Sequence, residues 1–207
     1  MTHHLLQTSD TLGLDYKNDP VFSDIACELG KGELLLLSGP NGSGKTALLE
    51  VLAGRRQPTR GTVEYATPMP SICYVPANST FLRWRSVSSV LRLWAKTHDT
   101  MLAVVATIEY LQLDFYLSQP VRYLSDGWKA RLSLAKLMLS PAELWALDAP
   151  IARLDETGRH MLAGLLAGHL RKGGAAMLTA MTEGDIQPWL PKDAKIIHIN
   201  MQEALKS

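Results

Sequence analysis

Leu34-Leu35-Leu36-Leu37-Ser38-Gly39-Pro40-Asn41-Gly42-Ser43-Gly44-Lys45-Thr46 is the stretch that decides the fold. The apolar run reads as a strand, and Gly39 to Thr46 fits G-x-x-x-x-G-K-[ST], the loop that wraps a nucleoside triphosphate. The spelling follows from chemistry. Gly39, Gly42 and Gly44 allow backbone conformations closed to other residues, so that successive N–H groups can turn toward phosphate oxygens. Lys45 brings a charge for the β- and γ-phosphates, and Thr46 offers a hydroxyl to Mg²⁺. A helix from Lys45 to about Ala53 would set its positive dipole end beneath the same anion. An ordinary glycine-rich turn is the bland alternative, and the strand before the loop and helical pattern after it argue against that. The chain is expected to bind a nucleotide.

The rest of the composition narrows the classes. With 207 residues, 46% of them hydrophobic and 20% charged, the chain suits one α/β domain with a full core, or one with a small insertion. A net charge of +1 and the lack of a dense basic cluster speak against a nucleic-acid or anionic-membrane surface. Cys27 and Cys73 have no metal-ligand spacing and read as buried thiols of a reducing compartment. No stretch has the apolar length that crosses a bilayer, and Met1-Thr2-His3-His4 lacks the charged start followed by an apolar stretch expected of a leader. The expectation is a soluble or peripheral cytoplasmic protein that meets a membrane only through a partner.

Short apolar segments alternate with helical ones, which argues for an α/β fold. Strands are expected at Phe22 to Leu29, Glu33 to Ser38, Thr62 to Tyr65, Ser71 to Val75, Glu143 to Leu147, Ala175 to Thr179 and Lys195 to Ile199. Between Ser86 and Leu139 the period changes: Val87, Val90, Leu91 and Trp94 recur at helical spacing, as do Leu102, Val105 and Ile108. This block reads as a helical insertion between two halves of a sheet.

A second signal chooses among the many phosphate-loop proteins. Leu124-Ser125-Asp126-Gly127-Trp128 opens an amphipathic helix, and Leu144-Trp145-Ala146-Leu147-Asp148 is an apolar strand ending in a carboxylate, followed by Leu154-Asp155. A strand-end aspartate suits the Walker B position, which holds Mg²⁺ at the mouth of such a site. In this order the motifs resemble the ATP-binding cassette (ABC) ATPases over nearly the whole chain. The resemblance implies an α/β P-loop NTPase fold of the ABC type, with an antiparallel β edge and a helical subdomain from about Phe81 to Ser140. It implies ATP and Mg²⁺ as cofactors and two chains closing head-to-tail around two nucleotides, as a homodimer or as a heterodimer with an intact cassette. It also implies that Ser125 and Gly127 meet the γ-phosphate across that dimer. By the same resemblance Tyr16 stacks on adenine, the alternative being a core tyrosine at a strand edge. Leu154-Asp155 matches the loop that passes between subunits; alone it would mean only a helix cap.

Pro120-Val121-Arg122 before the Ser125 turn and Leu144-Trp145 before Asp148 are most similar to the ATP-binding subunits of haem exporters in cytochrome c maturation. That likeness implies an integral membrane partner on the inner face of the cell membrane, with ATP use driving haem export or release of a haem-loaded chaperone. Phe81-Leu82-Arg83-Trp84-Arg85 mixes aromatic and basic residues where such a partner would dock, or else its aromatics cover the helical block. The histidines are scattered and form no C-x-x-C-H haem motif.

The chain also departs from the family. Ala149 stands where the family carries the glutamate that polarises the attacking water, and loss of such a base costs about 10²–10⁴ in rate. Met181 stands at the switch histidine, and a thioether donates no hydrogen bond. Where a glutamine senses Mg²⁺, the candidates are Ala77 and Asn78, with Asn78 able to reach a metal-bound water. In the signature turn Asp126 and Trp128 replace a small residue and a glutamine. The carboxylate would have to face away or pair with Lys129 or Arg131, and the indole would pack on the helical subdomain. Binding groups remain while groups that handle water are gone, so hydrolysis is expected to be weak. Two readings follow: a transport ATPase subunit, or a hydrolysis-deficient switch or scaffold of such a complex. A soluble ABC protein acting on ribosomes or DNA ranks third, since those relatives carry two cassettes or a long arm.

Overall fold

The computed structural model describes residues 4–17, 19–77 and 82–204, the last two by backbone alone. Asn78 and Phe81 lie outside the described residues. In chain order the strands and helices are β1 (His4–Thr8), β2 (Leu12–Tyr16), β3 (Asp19–Ile25), β4 (Glu28–Gly30), β5 (Glu33–Ser38), α1 (Lys45–Leu52), β6 (Val63–Tyr65) and β7 (Ile72–Val75). There follow α2 (Val87–Thr97), α3 (Val104–Leu111), α4 (Asp126–Leu139), β8 (Leu144–Leu147) and α5 (Glu156–Arg171). The chain closes with β9 (Ala175–Ala180), α6 (Glu183–Ile186), β10 (Lys195–Asn200) and α7 (Met201–Ala204).

The leucine run explains the layering. β5 sits inside a five-stranded parallel sheet ordered β10-β5-β9-β8-β7. Leu34 and Leu36 point into one core with α2, α4 and α5, while Leu35 and Leu37 point into another with α1 and the antiparallel strands. All four are fully buried. Each contributes about 1.5–3 kcal/mol, and because both faces are covered the strand reads as a continuous apolar run with no alternation. β8 divides the same way, Trp145 and Leu147 to one side, Leu144 and Ala146 to the other.

The antiparallel edge consists of a three-stranded sheet, β4-β1-β6, and the β2–β3 hairpin. Two strands here, β1 and β2, have no counterpart among the expected ones. The expected strand from Phe22 to Leu29 divides into β3 and β4 at Ala26-Cys27, where the Cys27 amide donates to Thr8 Oγ1 and the Cys27 carbonyl accepts from the Thr8 amide. Cys27 is half-buried rather than buried, and burial still pushes its thiol up to about 11; Cys73 is buried as expected.

The segment between the adjacent parallel strands β7 and β8 holds α2, α3 and α4. Ser86 caps α2 by accepting from the Ser89 amide, and Asp155 caps α5 by accepting from the Gly158 amide, each worth about 0.5–2 kcal/mol. Gly173 (φ 84°) follows the end of α5, as the Lys172-Gly173-Gly174 sequence suggests. No helix among the described residues is long and apolar enough to cross a membrane. The topology brings the carboxyl ends of β5, β8 and β9 together, the edge of an α/β sheet where ligands bind.

Candidate nucleotide site

The loop after β5 and the residues after β8 and β9 line one open cleft of about 490 Å³. Asn41, Gly42, Gly44, Lys45 and Thr46 come from the loop, Asp148 and Ala149 from the end of β8, and Thr179 to Met181 from β9 and its exit. Gly44 has φ 86°, and a Cβ there would lie 2.9 Å from the Val21 carbonyl oxygen, so the β2–β3 hairpin and the loop pack too closely for a side chain. At Gly39 (φ 146°) a Cβ would lie 2.8 Å from Ser43 Oγ. The Gly39 amide donates to the Met181 carbonyl at 3.1 Å, which ties the loop to the exit of β9.

At the start of α1 the chemistry concentrates. Lys45 Nζ donates to the carbonyls of Gly39 and Pro40, both at 2.7 Å. Burial holds its pKa below the ordinary lysine value, opposed by the nearby Asp148 charge. Thr46 Oγ1 donates to the Asp148 carboxylate at 3.0–3.1 Å, across 102 positions of sequence. Asp148 is 8% exposed. Its second donor is Thr179 Oγ1 at 2.7 Å, and that hydroxyl accepts from the Ala149 amide at 2.7 Å. Ala149 itself is left-handed (φ 46°), a conformation that costs an L-residue about 1–2 kcal/mol.

The cleft suits a triphosphate with its cation. Among the described residues Ser43 Oγ, buried in the loop, has no hydrogen-bond partner, an orphaned group of the kind a phosphate oxygen satisfies. One carboxylate beside one hydroxyl is also the sparse oxygen set with which Mg²⁺ sites are built around phosphates.

The sequence pattern of the ABC transporter family matches residues 22–152, from β3 through the loop to the turn after Asp148. The chain belongs to the ABC transporter family. It is 35% identical over 156 residues to the cytochrome c biogenesis ATP-binding export protein CcmA of Hyphomonas neptunium, covering 75% of this chain and 79% of that one. The protein of the same name from Pseudomonas putida is 35% identical over 191 residues, covering 86% and 90%. A solved structure, the putative ABC transporter ATP-binding protein from Pyrococcus furiosus, superposes with TM-score 0.78 at 23% identity, covering 96% and 98%. The narrower likeness read from Pro120 to Arg122 and from Leu144-Trp145 therefore agrees with the names these relatives carry. As in the family at large, this ABC chain binds a nucleotide.

The remaining ABC motifs stand apart from the cleft. Ser125 caps α4, its Oγ accepting from the Trp128 amide at 3.3 Å, and neither Ser125 nor Gly127 lines the cleft of its own chain. Asp126 pairs with Lys129 at 3.2 Å; Arg131, the other expected partner, does not take that role. Its guanidinium is buried and grips Asp155 with two nitrogens, while a third reaches Gln112 at 3.1 Å. Asp155 is thus both a helix cap and the anchor of a buried arginine. Trp128 packs on Tyr116 (4.4 Å between ring centroids) and under Arg131, against the helical segment as expected.

Tyr16 is 62% exposed at the end of β2, which removes the core-tyrosine alternative; it does not line the cleft, but its hairpin touches Gly44. Ala77 lines the cleft. Trp84 is exposed and carries Arg122 over its ring at 3.9 Å. Sequence reasoning passed over Thr179 and the Glu50–Arg56 ion pair (3.0 Å) on the cleft wall. Thr179 was hidden because a buried threonine in a strand reads as ordinary β filling; only its place beside Asp148 reveals it.

Proposed function

We propose that this chain is the ATP-binding subunit of a membrane ABC complex in cytochrome c maturation, coupling ATP to haem export or to release of a haem-loaded chaperone. The observation that carries this reading is the meeting of Thr46 and Asp148 below the phosphate loop, in a chain 35% identical over 191 residues to a cytochrome c biogenesis ATP-binding export protein. In this reading Gly39 to Thr46 cradles the phosphates, Lys45 leaves its two carbonyls for the outer phosphates, and Tyr16 stacks on the base. Thr46 and Asp148 hold Mg²⁺, with Asn78 as a third candidate. The metal, when bound, supplies charge neutralisation for the phosphates. Ser125 and Gly127 complete the site of a second chain across a head-to-tail dimer. The Trp84 and Arg122 surface meets the integral membrane subunit, which keeps the chain on the inner face of the cell membrane.

Turnover is expected to be slow. Ala149 presents a methyl where a base would stand, and Met181 a thioether. Phosphate release from ATP by the complex taken from detergent-solubilised membranes, with Lys45→Ala as control, tests the reading. Release that disappears in the variant supports a coupled ATPase. An intact, ATP-binding complex without Lys45-dependent release would overturn hydrolysis as the source of work and leave a binding-only switch.

A further inference from the structure

Ser38 ends β5 immediately before the phosphate loop, and its hydroxyl lies 2.7 Å from His198 Nε2 on β10. The other ring nitrogen, Nδ1, lies 3.4 Å from a carboxylate oxygen of Glu183, the first residue of α6. Register explains the meeting. Ser38 pairs with Asn200 of β10 on one side and Ala180 of β9 on the other, and His198, two residues before Asn200, shares its face of the sheet. In the neutral ring the carboxylate selects the tautomer with its proton on Nδ1, and Nε2 then accepts from the Ser38 hydroxyl.

Serine, histidine and carboxylate in this order are the constellation of nucleophilic hydrolases. Here Ser38 is 4% exposed and none of the three lines the cleft, so no substrate carbonyl reaches the hydroxyl. Their place in the chain gives a different role. Glu183 stands two residues after Met181, which lines the cleft, 57% exposed, through a thioether that donates no hydrogen bond. The rim Met181-Thr182 is therefore placed by its two ends. At one, the Gly39 amide donates to the Met181 carbonyl; at the other, Glu183 reaches Ser38 through His198. Both ties end on adjacent residues where β5 becomes the loop.

We propose that His198 is a positioning residue for the bound nucleotide, holding the exit of β9 against the phosphate loop through Ser38 and Glu183. This rests on the nucleotide-binding reading of the cleft. Loop and rim then respond to nucleotide as one unit, and His198 reports the loading of a cleft that it does not line.

The test uses the full chain with its histidines labelled in nitrogen-15, the His198 ring signal being assigned by its loss in His198→Phe. Saturating Mg-ATP should shift that signal in wild type and leave it nearly still in Ser38→Ala. Mg-ATP affinity, measured where urea unfolding shows every variant folded, should fall about two- to tenfold in Ser38→Ala and in His198→Phe, the worth of one hydrogen bond. The double variant should be no weaker than the weaker single one, because the two side chains make one contact. Glu183→Gln, whose amide oxygen still accepts from Nδ1, should keep affinity that Glu183→Leu loses. A His198 signal indifferent to Mg-ATP, or variants that lose stability at unchanged affinity, would overturn the proposal and leave a structural bridge. Additive losses in the double variant would overturn the relay. Wild type that binds no Mg-ATP would overturn the nucleotide reading itself, a result distinct from any effect of His198.

Discussion

Thr179 Oγ1 stands 2.7 Å from an Asp148 carboxylate oxygen and 2.7 Å from the Ala149 amide nitrogen. One fully buried hydroxyl thus donates to the proposed metal-binding carboxylate and accepts from the amide of Ala149. It fixes the carboxylate toward Thr46 and holds Ala149 in its left-handed turn.

Thr179→Val keeps shape and removes both bonds, leaving a buried amide and a carboxylate lone pair unmet. The expected loss is about 1–3 kcal/mol of stability, with weaker Mg-ATP binding. Thr179→Ser should restore the metal dependence more fully than the stability. Urea unfolding and titration of nucleotide binding against Mg²⁺ check both.

Ala149→Glu with Met181→His would install, in the proposed reading, the base and the switch histidine on an unchanged scaffold. Ala149 already pays for its left-handed φ, so glutamate adds little further backbone strain. Phosphate release should rise by about 10²–10⁴, the usual worth of a positioned base. No rise in a folded, ATP-binding double variant would show that the orientation of residue 149, and not its side chain alone, limits hydrolysis.

Asp155→Asn strips a buried guanidinium of its charged partner. The hydrogen bond from Arg131 holds the Asp155 carboxyl below the ordinary carboxylate range. A depressed folded pKa means stability that is present above the unfolded value, about 3.9, and lost as pH falls through the folded one. The variant should therefore be less stable than wild type at pH 7, by about 1–3 kcal/mol, and the gap should narrow below pH 4. Thermal unfolding at pH 7 and pH 3.5 reads this directly.

His169 stacks on Trp145 (3.8 Å between centroids, 4° between planes) and bonds the Ala175 carbonyl through Nε2 at 3.0 Å. Burial lowers its pKa. The folded state therefore favours the neutral ring, and stability falls as pH drops from the unfolded value of about 6.5 through the lower folded one. His169→Phe should flatten the stability profile between pH 7 and pH 5. An unchanged slope would assign that part of the profile to another group.

The elements carried by strong local patterns were legible: β5, β8, β9, β10 and the first turn of α1 follow apolar runs and a glycine-lysine loop that admit few other structures. β1 and β2 were not legible. His4–Thr8 and Leu12–Tyr16 are short edge segments with mixed polarity, and they become strands only because β4, β6 and β3 offer them partners. The break between β3 and β4 at Ala26-Cys27 leaves no mark in the hydrophobic pattern, because it is set by hydrogen bonds between Cys27 and Thr8 on another strand.

For the site, local sequence determined the phosphate loop and the strand-end Asp148, since each is a matter of residue type at a fixed step along the chain. Tertiary structure alone decided that Arg131 serves Asp155 and not Asp126, and that Thr179 orients Asp148. Those relations join residues on different elements, and the reach of a side chain across a packed sheet depends on register and helix placement, which no single segment of sequence contains.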